Sequence, residues 1–488
     1  MTQSTPPPSD DPGSPHPEKD LRYPLGFLTA TNLERFPSHL RRVAFPRPLA
    51  VHPSTRYAVA GESGRPLAIL GEAVHPDLPH LDLQGVAHHL AANESERQKE
   101  IDKLVGRFVV LHCGNGHDWR IQTDAIGMRT VFFSISDDGV VAGSHAAAVA
   151  EASTPARHRE MRPFKWGYPG ISTPYPLVFR LPPNCELSLT DGRLHRFFPD
   201  VPIPETSIQA AWAFAFERAN ATVGALARRR DLLVSLTAGL DSRTTLAAIR
   251  DNWPHVTFFT YAGGPNDRVD MQVATALAKA LGLRHILVDY SDRYQANKAV
   301  FAAIQQNTFS RHKKKLACAY HSHFGEHKYL HIRSNLLELG RSNLYYKLGR
   351  RRRLEEPSTA QAMGKVYTFA GRLPPGNSSH VAPAFEHYVT ASDYEWSIGK
   401  ASPWDLYFIE HRMGAWHSGV LLESDVSFDT VIAFNSREIL RHFMGVPQEI
   451  RCSSPHLRQK LKALLPEVKD IPINPARFPR HTQHSQSS

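Results

Sequence analysis

The residues best suited to chemistry lie at one turn. Thr237-Ala238-Gly239-Leu240-Asp241-Ser242 follows the apolar run Leu233-Val234-Ser235-Leu236 and leads into Arg243. A strand that turns through small residues into a helix leaves backbone N–H groups unpaired at the turn. More are unpaired at the helix start, where the dipole is positive. Ala238 and Gly239 are small enough for an anion to reach those groups, and the hydroxyls of Thr237 and Ser242 add donors. Asp241 would repel a bare phosphate. It makes sense as a ligand to a magnesium ion that in turn holds phosphates. No Gly-Lys-Ser/Thr ending of the Walker type is present at this turn.

The turn needs a buried strand before it and a helix after it, and the flanking pattern supplies both. Ile208, Ala211, Trp212, Ala215, Ala219, Val223 and Leu226 recur at steps of three and four, which predicts a long helix with Ser207 as its N-cap. Strands and helices then alternate: 232–236, 242–250, 256–261, 269–281 and 285–288. That order predicts a doubly wound parallel sheet with helices on both faces. From about 291 the chain is expected to be mostly helical, with long loops.

Residues 21–200 read differently. Short apolar runs at 105–111, 119–123, 131–133 and 140–142 are separated by turn signals. Asp137-Asp138-Gly139 predicts one hairpin and Thr190-Asp191-Gly192 another. This is the pattern of antiparallel sheets. The boundaries expected are a disordered tail at 1–20, a first domain at 21–200, a second at 205–475 and a disordered tail at 476–488, with Pro202-Ile203-Pro204 as linker.

The formal net charge of +10 favours anionic partners without naming one. Two basic runs, Arg311 with Lys313 to Lys315 and Arg350 to Arg353, read as solvated faces. Cys113, Cys185, Cys318 and Cys452 form no CxxC pair, which argues against a disulfide framework and a zinc ribbon. No apolar run has membrane-spanning length and the N-terminus lacks a secretory pattern, so a cytoplasmic location is expected. His321, His323, His327 and His331 include i, i+4 spacings that would meet on one helix face as metal ligands; with 27 histidines in the chain, coincidence is the simpler reading.

The loop resembles the pyrophosphate-binding Ser-Gly-Gly-x-Asp-Ser of the adenylating ATP pyrophosphatases, with Thr237 for Ser and Ala238 for Gly. Phe258-Phe259-Thr260-Tyr261-Ala262-Gly263 resembles the second strand of the asparagine synthetase family's synthetase domain, whose end meets adenine through the backbone near Tyr261. Asp270 stands where that family has an acid. Ser334-Asn335-Leu336-Leu337-Glu338 resembles its Ser-Gly-x-Gly-x-Asp-Glu stretch, with Asn335 and Leu337 in place of glycines. Gly106-Arg107-Phe108 and the segment from Asp124 to Phe133 are similar to its glutaminase domain.

The resemblance spans most of residues 100 to 345. It implies an α/β chain: an antiparallel β-rich, Ntn-hydrolase-like α+β domain, then a doubly wound parallel-sheet ATP pyrophosphatase domain with a helical C-terminal part. It further implies ATP and Mg²⁺ as cofactors. Asp241 and Glu338 would be the metal ligands and, with Arg341, the catalytic groups. Leu236, Thr237, Ala238, Gly239, Asp241, Ser242, Tyr261, Asp270, Ser334 and Asn335 would form the nucleotide site.

A glutaminase of this family uses Cys as residue 2. Here it is Thr2, and Cys113 falls in a predicted strand, so glutamine hydrolysis is not expected. β-Lactam synthetases and lasso-peptide cyclases share that loss. The expected activity is amide-bond formation through an acyl-adenylate, as an asparagine synthetase-like ligase or as a cyclase or amidotransferase of a natural-product or polysaccharide pathway. Partners would be a small-molecule or peptide carboxylate and an amine donor. No membrane or nucleic acid is expected, and a homodimer is compatible. The family's C-terminal catalytic lysine has no clear match among Lys460, Lys462 and Lys469. A tRNA-modifying adenylating enzyme would need a cysteine pair that is not seen, and a non-catalytic scaffold with a decayed site stays open.

Overall fold

A computed structural model describes residues 21–476 apart from 33, 63, 115–116, 154–165, 265–266, 292–294, 310–313, 372–379 and 453. Both predicted tails (but for residue 476), Thr2, Arg311 and Lys313 lie outside the described residues.

The first domain is built on two six-stranded antiparallel sheets. One runs in the order Phe179–Arg180, Phe132–Ser136, Gly139–Gly143, Phe27–Thr29, Leu49–Val51, Arg41–Arg42. The other runs Leu194–Arg196, Cys185–Ser188, Asp118–Thr123, Val105–Gly114, Leu67–Val74, Tyr57–Ala60. Strand side chains alternate between faces, and Val105–Gly114 shows the consequence. Val109 and Leu111 face the first sheet, among Phe27, Val51 and Phe133. Phe108 and Val110 face Val86 and Leu90 of the helix Leu83–Ala92. The run from Phe108 to Leu111 is continuously apolar because both faces of the strand are covered there. On the outer face of the first sheet, Leu28 and Phe132 pack against the helix Ala146–Ala152. The result is a helix–sheet–sheet–helix stack. Both predicted hairpins form, and Gly139 supplies the positive φ of +107° that its turn requires.

The second domain holds a parallel sheet of five strands in the order His285–Asp289, Val256–Ala262, Asp231–Ser235, Tyr329–Arg333, Asp429–Ile432. The chain starts at the central strand, steps outward twice, then crosses to the other side. The helix Ile208–Ala227 precedes it and buries the seven residues named from their spacing. Ser207 Oγ accepts the Ala210 N–H at 3.2 Å, so the predicted cap is present. The segment between the last two strands is helical, with Ala360–Gly371, Val381–Ala391, Phe408–His417 and Ser418–Ser424. No helix among the described residues is long and apolar enough to cross a membrane.

Buried charge joins the two domains. Arg107 donates to Asp425 at 2.6 and 2.7 Å and to Asp429 at 3.0 Å, and Arg129 pairs with Asp429. Arg196 meets Glu410 at 2.7 Å with both side chains fully buried. Asn435 donates to the Gly106 carbonyl at 2.6 Å and to Asp124 at 2.8 Å.

Candidate functional site

In an open parallel sheet, ligands bind beyond the carboxyl ends of the strands where the strand order reverses. Here that point lies between Asp231–Ser235 and Tyr329–Arg333, and a cleft of about 530 Å³ opens there. Of the residues singled out from sequence, Thr237, Gly239, Asp241, Ser242, Tyr261, Asp270, Ser334, Asn335, Glu338 and Arg341 all line it.

Leu236 and Ala238, the other two residues of the expected nucleotide site, do not. Both are buried. Just past the strand, the Leu236 N–H donates to the Phe259 carbonyl at 2.9 Å and its own carbonyl accepts Thr260 Oγ1 at 2.8 Å, so Leu236 stays against the sheet with its side chain in the core. Ala238 contributes its backbone instead.

The loop differs from an open cradle. The Ala238 N–H donates to Asp270 Oδ1 at 2.8 Å, the Gly239 N–H to Thr237 Oγ1 at 3.1 Å and the Thr237 N–H to Ser242 Oγ at 3.2 Å. Two side chains of the loop and one from the helix Asp267–Leu281 therefore take the amides at 237–239. The start of the following helix, Leu240–Ala248, is another matter. Gly239 is its N-cap and no side chain caps it. A Cβ at Gly239 would sit 3.1 Å from Thr237 Oγ1, so a larger residue would crowd the turn. From behind, the C-terminal segment fastens the loop. The Asn474 N–H meets the Ala238 carbonyl at 2.9 Å, and Arg243 grips the carbonyls of Ile471 and Pro472 at 2.6 and 3.1 Å.

Asp241 and Arg341 pair at 2.5 Å across the cleft. Burial, opposed by Arg341 and helped by Glu338, pushes the Asp241 carboxyl up to about 6. A divalent ion on Asp241 must therefore compete with a proton below that pH. Metal-dependent nucleotide affinity is expected to fall by up to about tenfold per pH unit below pH 6 and to level off above it. Calorimetric titration with Mg-ATP between pH 5 and 8 checks this, and a flat profile contradicts it.

The other loop follows Tyr329–Arg333 as a tight 3₁₀ turn, Asn335–Arg341. It presents Glu338, whose Oε1 accepts the Asn343 amide at 2.7 Å. Asn335 Oδ1 accepts Arg333 Nε at 2.6 Å. Ser334 Oγ is buried at the cleft wall with no partner among the described residues.

The cleft also recruits groups that sequence reasoning missed. Arg333 ends the strand that leads into the second loop, Asn343 and Lys347 come from just beyond that loop, and Glu423 and Ser424 from the helix Ser418–Ser424. Lys347 is near enough to help lower the Asp241 carboxyl. Lys460, Lys462 and Lys469 do not line the cleft.

The histidine series at 321–331 does not form one helix face. The helix Lys314–Phe324 ends before His327, and His331 lies in the strand Tyr329–Arg333. His321 and His327 instead meet the carbonyls of Val426 and Asp425 at 3.1 and 2.7 Å. Arg350 to Arg353 are largely exposed, as a solvated face requires.

No family model matches the sequence, and neither does any curated protein. Among solved structures, the chain is similar to glutamine phosphoribosylpyrophosphate amidotransferase from B. subtilis complexed with ADP and GMP. The identity is 13%, over 68% of this chain and 73% of that one, with a TM-score of 0.23. NMN synthetase from Francisella tularensis matches at 13% identity over 57% of this chain and 100% of its own, with a TM-score of 0.21. An allosteric regulatory enzyme of purine biosynthesis matches at 14% identity over 67% and 71%, with a TM-score of 0.22. At scores this low, the cleft's own geometry, not the likeness, bears on function.

Proposed function

We propose that the chain is an ATP-dependent carbon–nitrogen ligase of the asparagine synthetase type that lacks its own glutamine hydrolysis. The observation that carries the reading is the cleft at the sheet's switch point, where an uncapped helix start faces four carboxylates and three cationic side chains: Asp241, Asp270, Glu338 and Glu423 with Arg333, Arg341 and Lys347.

In the proposed reaction a substrate carboxylate oxygen attacks the α-phosphorus of ATP. The bond to the β-phosphate oxygen breaks, and pyrophosphate leaves with the electron pair. An amine nitrogen then attacks the acyl carbon, and the bond to the AMP oxygen breaks as the amine loses a proton. The partners are a small-molecule or peptide carboxylate and an amine donor. The amides at 240–242 and the Arg341 and Lys347 cations suit the growing charge on pyrophosphate, and the buried Ser334 hydroxyl is a ready contact for a phosphate or ribose oxygen. The all-oxygen donor set fits a hard cation. Asp241 and Glu338 would hold Mg²⁺, which supplies charge neutralisation of the phosphates.

Cys113 is buried within Val105–Gly114 and cannot replace a terminal nucleophile. ATP–pyrophosphate exchange over a panel of carboxylates is expected to show exchange that depends on one class of acid, with no release of glutamate from glutamine. A chain that binds neither Mg-ATP nor pyrophosphate would rule the ligase out. One observation favours a second reading, a scaffold with a closed site: the amides at 237–239 are already taken by protein side chains. The same binding measurement separates the two.

A further inference from the structure

Away from the cleft, three side chains of the first domain converge on one point. His75 follows the strand Leu67–Val74, His89 lies in the helix Leu83–Ala92 and Glu100 in the helix Arg97–Lys103. A single oxygen, Glu100 Oε2, lies 2.9 Å from His75 Nε2 and 2.8 Å from His89 Nε2, and the three candidate ligand atoms all fall within 4.8 Å of one another. The histidine rings meet edge to face with centroids 5.3 Å apart. The other Glu100 oxygen is held by Lys103 at 2.8 Å, which fixes the carboxylate so that Oε2 faces the imidazoles.

We propose that His75, His89 and Glu100 form a binding site for one divalent ion of the zinc class, with three protein ligands and a fourth position open to solvent beside His89.

The donor set is what such an ion takes: two imidazole nitrogens and one carboxylate oxygen. Around a tetrahedral ion with bonds of about 2.0–2.1 Å, ligand atoms lie about 3.3 Å apart. The two separations from Glu100 need to open by only about half an ångström to admit one. Binding a divalent ion requires neutral imidazoles and an ionised carboxylate. Burial lowers His75, favouring the neutral ring. For Glu100, burial is outweighed by Lys103, His89 and His75, which bring the carboxyl down to about 2. Taking the ion on Nε2 moves the ring proton to Nδ1. His75 Nδ1 has no partner among the described residues, so that shift breaks no hydrogen bond there. The open position follows from exposure: His75 is 1% exposed, His89 26%.

The full-length chain, stripped with a chelator and dialysed, is titrated with Zn²⁺ by calorimetry and with Co²⁺ by visible absorption. Expected is one equivalent per chain, with a Co²⁺ band of four- or five-coordinate intensity. Glu100→Gln is expected to weaken Zn²⁺ binding at least tenfold. His75→Gln with His89→Gln is expected to abolish that equivalent. Glu100→Gln keeps the side-chain shape, so its unfolding midpoint in chelator checks that the fold is intact. An unmodified chain that takes up no Zn²⁺, or a double histidine variant that keeps the full equivalent, overturns the proposal. The first result would leave a hydrogen-bonded triad; the second would place the ion elsewhere in this histidine-rich chain.

Discussion

Replacing Arg107 with alanine is expected to destabilise the protein by about 3–5 kcal/mol, the range for removing one partner of a buried ion pair. Arg107 is fully buried, and it donates to two oxygens of Asp425, one of Asp429 and the Met128 carbonyl at 2.9 Å. Truncation leaves two carboxylates in the domain junction with Arg129 as the remaining cation. Burial alone would raise the Asp429 carboxyl, but Arg129 and Arg107 overcome it and hold it below the usual range. The sign follows. A depressed carboxyl contributes stability above its unfolded value, and that contribution is lost as pH falls through the folded one. In the variant the depression shrinks, so the loss of stability is largest near neutral pH and smaller in acid. Urea unfolding at pH 7 and pH 4 measures both. Arg35→Ala is the control, because the Arg35–Asp138 pair at 3.6 Å is more than half exposed on both sides and should change stability by less than about 0.5 kcal/mol. An Arg107 variant as mild as the control would show that the junction does not depend on this cation.

What the sequence made legible was whatever local period and turn chemistry encode. The helix at Ile208–Ala227, its Ser207 cap, the alternation of strands and helices and both hairpins stand where their spacing put them. So does one wall of the cleft, because a strand, a small-residue turn and a helix are contiguous in the chain. The rest depends on contacts distant in sequence. Asp270 closes the Ala238 amide from 32 residues away, which no motif signals. Lys347 and Glu423 enter the cleft through helices whose packing is a property of the tertiary fold. Arg107 finds Asp425 across 318 residues. The i, i+4 spacings in the histidine series at 321–331 are a coincidence, because a shared face needs one continuous helix and the chain turns after Phe324. His75, His89 and Glu100, separated by 14 and 11 positions, carry no short-range pattern at all. A scan for buried His and Glu beside predicted helices would have found them among many false candidates.

Asp241→Asn is expected to weaken Mg-ATP binding by about tenfold to a hundredfold, a loss of about 1.4–2.8 kcal/mol. It is also expected to change which form of the nucleotide is preferred. The wild-type cleft balances Asp241 against Arg341 at 2.5 Å. A cation arriving on Asp241 must replace the guanidinium as counter-charge, which frees Arg341 for an anionic phosphate. In the variant, the amide keeps the side-chain volume but carries no charge for a hard cation to bind. Arg341 then faces the cleft uncompensated, so metal-free ATP and pyrophosphate should bind at least as well as before. The measurement is therefore a ratio: affinity with Mg²⁺ over affinity with chelator, in wild type, Asp241→Asn and Arg341→Ala. A drop in the ratio confined to Asp241→Asn, with Arg341→Ala losing affinity under both conditions, assigns the carboxylate to the ion and the guanidinium to the phosphate. If the ratio is unchanged in Asp241→Asn, the aspartate serves only to neutralise Arg341. The turn from Thr237 to Gly239, its amides already taken by side chains, is then the resting shape of a site that takes no metal-bound nucleotide.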